Sequence, residues 1–414
     1  MMNRPARTWQ GHCLWCHRRR QGGLVWATVA AVAAGVGCQT PGRPLADRDR
    51  PHPIAQTTMA EPPAAPDLDQ QYIIGPTAAR ELGYRIHFQT QTFPQDNSGL
   101  RQFAIQQDSV FTLDGRNFLT RLHREDGQRL WRIPVADPLD EIHGITLLGQ
   151  VERVFLTVGA NVLVLDADTG SQIAKQRLGQ IANTAPVVFA PFFIYGARNG
   201  QLVWHSYEVG YQWRGYQIAS SIRIQPLLID GSVITIGTDG RIVALDASSA
   251  TGRWDKQLLN TVAAAPVAGG GMVYVAGLDQ HVWAFDLATG RNVWRYLTES
   301  PLTDSPILIA DRLYQQIPSE GLVCFDARPI DAPGGEVIWT APNVAGNVIG
   351  RYRNRVMVWD KASRQLTLVD AGQGNVIKSI DLPQVRHLLA SRMQAGDLYA
   401  AGDDGRVIRL VPRN

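Results

Sequence analysis

The residues best spaced for chemistry lie near the start, where Cys13-Leu14-Trp15-Cys16-His17 has the pattern of covalent c-type haem attachment: two thiols and a histidine ligand. The pattern sits in a basic stretch ahead of the apolar run Leu24 to Gly37. In an export signal that stretch stays on the cytoplasmic side and is discarded, whereas haem attachment belongs on the other side, so the motif is read as incidental. Elsewhere the chemistry is sparse. His87, His123, His143, His205, His281 and His387 are dispersed, with no His-x-x-x-His or His-Glu-x-x-His spacing to put two nitrogens on one metal. Asp403-Asp404-Gly405 is too short a loop for the six to eight oxygens that calcium takes. There is neither a Gly-x-Ser-x-Gly nucleophile elbow nor a phosphate-binding Gly-x-x-x-x-Gly-Lys loop. No catalytic residue, metal site or cofactor is expected.

The leading residues read as an address. Residues 1–37 carry Arg4, Arg7, Arg18, Arg19 and Arg20 and no acid, then the apolar run, then a small residue before Cys38. Fourteen helical residues rise about 21 Å, short of the roughly 30 Å of a hydrocarbon core, which favours a cleaved signal over a membrane anchor. Gly35-Val36-Gly37-Cys38 resembles a bacterial lipobox, although Gly35 stands where that pattern prefers Leu. The resemblance implies that Cys38 is acylated and becomes the N-terminus; Gln39 in place of an Asp leans towards the outer membrane. Residues 38–71 are then a lipidated cysteine followed by a linker. Pro41, Pro44, Pro51, Pro53, Pro62, Pro63 and Pro66 make it an extended, semi-rigid tether. Without the five leading arginines the formal charge of +3 becomes −2, which excludes the electrostatic footprint of a nucleic-acid binder. Cys38 and Cys324 are the remaining cysteines, so no disulfide framework is expected.

Residues 72–414 repeat. Segments of alternating apolar and polar residues begin near Phe111, Val154, Phe192, Val233, Val273, Leu313, Val356 and Leu398, spaced by 38 to 43 residues, the length of one four-stranded propeller blade. Asp114-Gly115, Asn199-Gly200, Asp239-Gly240 and Asp404-Gly405 read as hairpin tips. The eighth unit stops after Val407 to Val411 with no outermost strand, while Gly83 to Thr90 is a spare strand ahead of the first. The fold expected is all-β: an eight-bladed β-propeller of four-stranded antiparallel blades, closed by that N-terminal strand. Alternation around Val273 and Val275 predicts that these two are buried and their neighbours face outward.

The turn Ala284-Phe285-Asp286-Leu287-Ala288-Thr289-Gly290 with Trp294 resembles the pyrroloquinoline-quinone (PQQ)-like propeller repeat. Asp126-Gly127 with Trp131, Asp246 to Gly252 with Trp254 and Gly335 with Trp339 are weaker copies; Asp166 to Gly170 and Asp370 to Gly374 keep the turn without the tryptophan. The resemblance implies that Trp131, Trp213, Trp254, Trp294 and Trp339 dock one blade on the next. The quinoprotein dehydrogenases of that family stack their quinone on an adjacent-cysteine disulfide beside calcium, and this chain has no Cys-Cys pair, so a quinone-binding or dehydrogenase propeller is the alternative reading. The order of parts is similar to the propeller lipoprotein of the outer-membrane β-barrel assembly machinery. That likeness implies a non-catalytic scaffold on the periplasmic face of the outer membrane, monomeric within a complex, binding an envelope or outer-membrane protein and reaching the membrane through its lipid anchor.

Inner strands are expected to begin at Ala185-Pro186-Val187, Gln225-Pro226-Leu227, Ala265-Pro266-Val267 and Ser305-Pro306-Ile307, which puts Thr184, Arg223 and Asp304 at the axial funnel as candidate contacts. The anchor can be tested directly: Cys38→Ser should release the protein from membranes, and mass spectrometry should find an acylated Cys38 at the mature N-terminus of the parent chain.

Overall fold

The computed structural model describes residues 67–94 and 98–413; the expected signal segment, Cys38 and most of the linker lie outside the described residues. Among the described residues the chain forms eight four-stranded antiparallel sheets. Taking the strands of a blade as a to d from the axis outward, blade 1 runs from Leu100 to Pro134, blade 2 from Ile142 to Arg177 and blade 3 from Val187 to Gln217. Blade 4 spans Leu227 to Gln257, blade 5 Val267 to Leu297, blade 6 Ile307 to Ala341 and blade 7 Asn347 to Asp381. Blade 8 takes strands a to c from His387–Ala390, Leu398–Ala401 and Arg406–Pro412, and its strand d from β1, Tyr84–Gln91. β1 pairs antiparallel from Tyr84 opposite Pro412 to Gln91 opposite Arg406, which closes the ring as the unfinished eighth unit predicts. The short inner strands of blades 3 to 6 start at Val187, Leu227, Val267 and Ile307, immediately after their prolines.

The expected alternation fails in the middle of each blade. Met272–Ala276 is buried throughout, Tyr274 as fully as Val273 and Val275. Strands b and c lie inside a blade that is itself sandwiched between two others, so both of their faces meet apolar neighbours and a continuous apolar run replaces period-two patterning. Two short helices precede β1. α1, Leu68–Gln71, starts on the Asp67 carboxylate, which accepts from Asp69 N–H at 3.0 Å, so the segment read as tether already packs here. α2, Pro76–Leu82, begins with proline and ends at Gly83. Ala79 and Leu82, with Ile73 and Ile74, cap the apolar core between blades 7 and 8. All of this lies within one compact unit, residues 65–414, which holds its own core.

One joining contact recurs at four of the eight blade junctions. A strand-d tryptophan lays its ring on the c–d turn of the next blade and donates its indole N–H to a backbone carbonyl there: Trp131 to Ala167 at 2.7 Å, Trp254 to Leu287 at 2.9 Å, Trp294 to Ala327 at 3.2 Å and Trp339 to Ala371 at 3.0 Å. The turn must leave room for the ring. A β-carbon on Gly290 would lie 2.5 Å from Trp254, and its φ of +69° is costly for any other residue. At the closure Phe88 of β1 takes the place of the tryptophan, against Gly127 of blade 1.

Trp213 sits differently from the other four. Latch residues pair with a central strand-c residue, as Trp254 does with Ala244 and Trp294 with Ala284; in blade 3 that position belongs to Arg214, opposite Trp204. Trp213 is the bulged residue just before that position and stacks on Phe192 of its own blade at 4.7 Å, against the core that blades 3 and 4 share. The donation to the next blade comes instead from Trp204, to Ala247 at 2.8 Å. Truncation should separate the two roles: Trp294→Ala is expected to cost about 3–5 kcal/mol of unfolding free energy, and Trp213→Ala about 1 kcal/mol or less, measured by urea denaturation.

Candidate docking face and axial funnel

In an antiparallel meander the a–b and c–d turns fall at one end of every blade, and the b–c hairpins and blade-to-blade crossings at the other. The first end carries the tryptophan latches; the second is called the crossing face here. Side-chain amides fix its loops. Buried Asn117 donates to the carbonyls of Asp137 at 2.5 Å and Asp140 at 3.1 Å and accepts from Arg101 at 2.6 Å, pinning the crossing from blade 1 to blade 2. Gln257 donates to the carbonyls of Asp239 at 2.7 Å and Leu258 at 3.1 Å, and Gln217 makes the same pair to Asn199 and Ile218. Gly240 permits this closeness: its φ is +82°, and a β-carbon would lie 2.2 Å from the Asn260 carbonyl. The loops so held present apolar side chains to solvent. Leu139 is 96% exposed and Leu259 87%, with Leu297 and Ile181 more than half exposed on the same face. These side chains are single exposed anchors on separate crossings, Leu139 between blades 1 and 2, Ile181 between blades 2 and 3 and Leu259 between blades 4 and 5.

The three residues expected at the funnel do not converge. Thr184 is buried; its hydroxyl accepts from Gly196 N–H at 2.9 Å and donates to the Ala185 carbonyl at 3.0 Å, so blade 3 uses it internally. Asp304 accepts from Asn347 Nδ2 at 3.2 Å, tying blade 6 to blade 7. Arg223 is exposed beside blade 4, and no ion pair joins it to Asp304. The concave part of the funnel mouth lies elsewhere, a cavity of about 450 Å³ between the inner strands of blades 1 and 2 and Arg386. Arg101, Glu141, His143 and Arg386 supply its charges. His143 lies 4.0 Å from Glu141, and burial holds its imidazole below the ordinary range; Arg386 faces Asp403 at 3.6 Å. The lining contains no serine, threonine, cysteine or lysine.

Three of the other histidines are held in turns and cores. His123 meets Asp126 at 2.9 Å, His205 meets Gln176 at 3.0 Å, and His281 meets the Asp279 carbonyl at 2.7 Å. No group of three or more His, Cys, Asp or Glu side chains capable of holding a metal occurs among the described residues. Cys324 is buried in blade 6 and its thiol is pushed up to about 12, chiefly by burial. Two contributors to the face escaped sequence reasoning. The pinning glutamines recur 40 residues apart, a spacing that could have found them; Leu139 carries no such signal.

The ring is an eight-bladed β-propeller whose repeat resembles the PQQ-like one. The comparisons agree with that class. The family model described as outer membrane protein assembly factor BamB matches residues 194–329. A curated relative of that name from Yersinia pestis is 22% identical over 261 residues, covering 57% of this chain and 65% of its own length. Among solved structures, BamB from Moraxella catarrhalis superposes with a TM-score of 0.60 at 20% identity, over 78% of this chain and 98% of that one. The computationally designed Ika8 protein gives 0.62 at 14%, over 78% and 100%. The designed ring fits as well as the natural one, so the superpositions speak for the fold alone, while the sequence matches support the BamB-type resemblance.

Beside the funnel mouth, His387 of blade 8 has its pKa lowered to about 4 by burial first, then by Lys361 and Arg386, with Asp403 opposing. The unfolded chain takes up this proton near pH 6.5 and the folded chain only near 4, so the stability contribution is complete above about pH 6.5 and is lost as pH falls towards 4. The urea midpoint should therefore drop between about pH 7 and about pH 5, and His387→Gln should flatten that drop.

Proposed function

We propose that this chain is a non-catalytic cell-envelope lipoprotein whose propeller serves as a protein-interaction scaffold in outer-membrane protein assembly. The observation that carries the reading is the crossing face, where Leu139 and Leu259 stand almost fully exposed on loops locked by Asn117 and Gln257. Exposed apolar anchors on a rigid frame favour association, because little conformational freedom is lost when a partner covers them. The partner is an envelope or outer-membrane protein, bound by a single propeller at the periplasmic face of the outer membrane and held there through Cys38. The printed name of the Yersinia pestis relative, an outer membrane protein assembly factor, supports the assembly role.

The test is affinity capture of the membrane-anchored protein with chemical crosslinking, beside a PQQ titration. One envelope protein should crosslink to the crossing face, and Leu139→Asp with Leu259→Asp should reduce its capture by about tenfold or more while leaving the urea midpoint within about 1 kcal/mol of the parent. Stoichiometric quinone binding with dehydrogenase activity would falsify the scaffold reading.

A further inference from the structure

The closing blade carries a second concave surface, along the outer edge of its strand d. Between α1, α2 and β1 runs a groove of about 330 Å³ whose lining includes three arginines and one histidine and no acid: Arg80, Arg85, His87 and Arg413. These side chains are exposed, and among the described residues none of the arginines reaches a carboxylate within ion-pair distance. The nearby acids are engaged elsewhere: Asp69 accepts from the Thr77 hydroxyl at 2.6 Å, and Glu81 pairs with Lys378 at 2.7 Å. Arg80 is offset in part by Asp69, and the net positive cluster that remains on a near-neutral domain attracts a negatively charged ligand. The groove is also amphipathic, since Leu68, Tyr72 and Phe88 form part of its wall and Leu68 is 55% exposed.

We infer that this groove binds an extended, acidic segment of a protein partner, whose carboxylates meet Arg80, Arg85 and Arg413 while an apolar side chain packs against Leu68 and Tyr72. Shape favours a peptide over a lipid surface. The groove follows β1 from Tyr84 to Gln89, about 17 Å at strand rise, and is concave, whereas a bilayer presents a flat array of headgroups that could not fill it. Arginine suits the task, because its planar fork meets a carboxylate with two parallel N–H donors. The position is fixed by neighbouring structure: Gln89 bridges Ile73 N–H at 2.8 Å and the Gln71 carbonyl at 3.0 Å, which holds the α1–α2 wall against the strand. The site lies apart from the crossing face, so its occupancy and the docking proposed there are separable.

The test uses residues 65–414, the compact unit with its own core, and a fluorescein-labelled decapeptide alternating Glu and Val, with a Lys–Val decapeptide as control, read by fluorescence anisotropy. The Glu–Val peptide should bind and the Lys–Val peptide should not, with affinity falling as salt rises. Arg85→Glu combined with Arg413→Glu should weaken binding by about tenfold or more, with the urea midpoint unchanged to show that the ring is intact, while Leu139→Asp on the crossing face should leave it unaltered. A photoreactive residue at the centre of the peptide should label residues 84–89. Equal affinity for both peptides, or labelling elsewhere, overturns the proposal. So does binding of phosphatidylglycerol vesicles through the same arginines without peptide binding. Peptide binding by residues 65–414 that the full chain lacks assigns the groove to the chain's own leading residues and overturns the partner assignment.

Discussion

The hydrogen bond from a strand-d indole to the c–d turn of the next blade is the contact on which the ring depends. Each blade is apolar on both faces and must be stacked, but stacking alone does not set the angle between neighbours. A buried indole has one polar atom to satisfy, and directing it at a particular carbonyl fixes where the next blade sits. That carbonyl is itself held by the turn aspartate: Asp286 accepts from Thr289 N–H at 2.8 Å, and Asp246 from both Ser248 and Ser249 N–H at 3.0 Å. These hydrogen bonds keep both carboxyls below the usual carboxylate range, with the side-chain hydroxyls of Thr289 and Ser248 contributing most. Where the latch is absent, other contacts serve. Blades 2 and 3 meet through Phe155 and Phe193 at 4.8 Å with Tyr207 beside them, and blades 7 and 8 through Tyr352 and Tyr84 at 5.1 Å.

Much of this frame is legible in the chain, because a repeat reports itself many times over. The spacing of 38 to 43 residues gives the blade count, and the unfinished last unit gives the closure, since a strand lacking at one end and spare at the other has one economical solution. Counting 40 residues back from Trp254 reaches Arg214 and not Trp213, so the period places Trp213 one residue before the latch position. The burial of Tyr274 was hidden for another reason. Alternation is a rule for sheets with one wet face, and no single repeat says that it will be flanked on both sides.

The site was less legible than the frame. Thr184 and Asp304 were placed correctly along the chain but spend their polar atoms on structure, Thr184 on Gly196 and Asp304 on Asn347. Polar residues at the mouth of a ring serve first to satisfy backbone groups where sheets end, and sequence cannot separate that duty from ligand contact. The exposed leucines follow no period. They lie in crossings, where length and composition vary from blade to blade while the strands on either side do not. An even ring thus carries an uneven surface.

Closure by β1 has a consequence for how the molecule forms. The buried hydroxyl of Tyr84 donates to the Gly396 carbonyl, a contact spanning 312 residues of sequence. Pairing over such a distance is entropically late, so blades built from neighbouring hairpins assemble before the two ends find each other. Until that moment the array is an open arc with unpaired strand edges at blade 8 and no partner for the face of blade 1 that Phe88 and Arg409 will cover. The interval before the two ends join is the time of greatest exposure to aggregation. Arg409, bonded at once to Asp397 and to the Glu125 carbonyl, acts as the rivet that ends it.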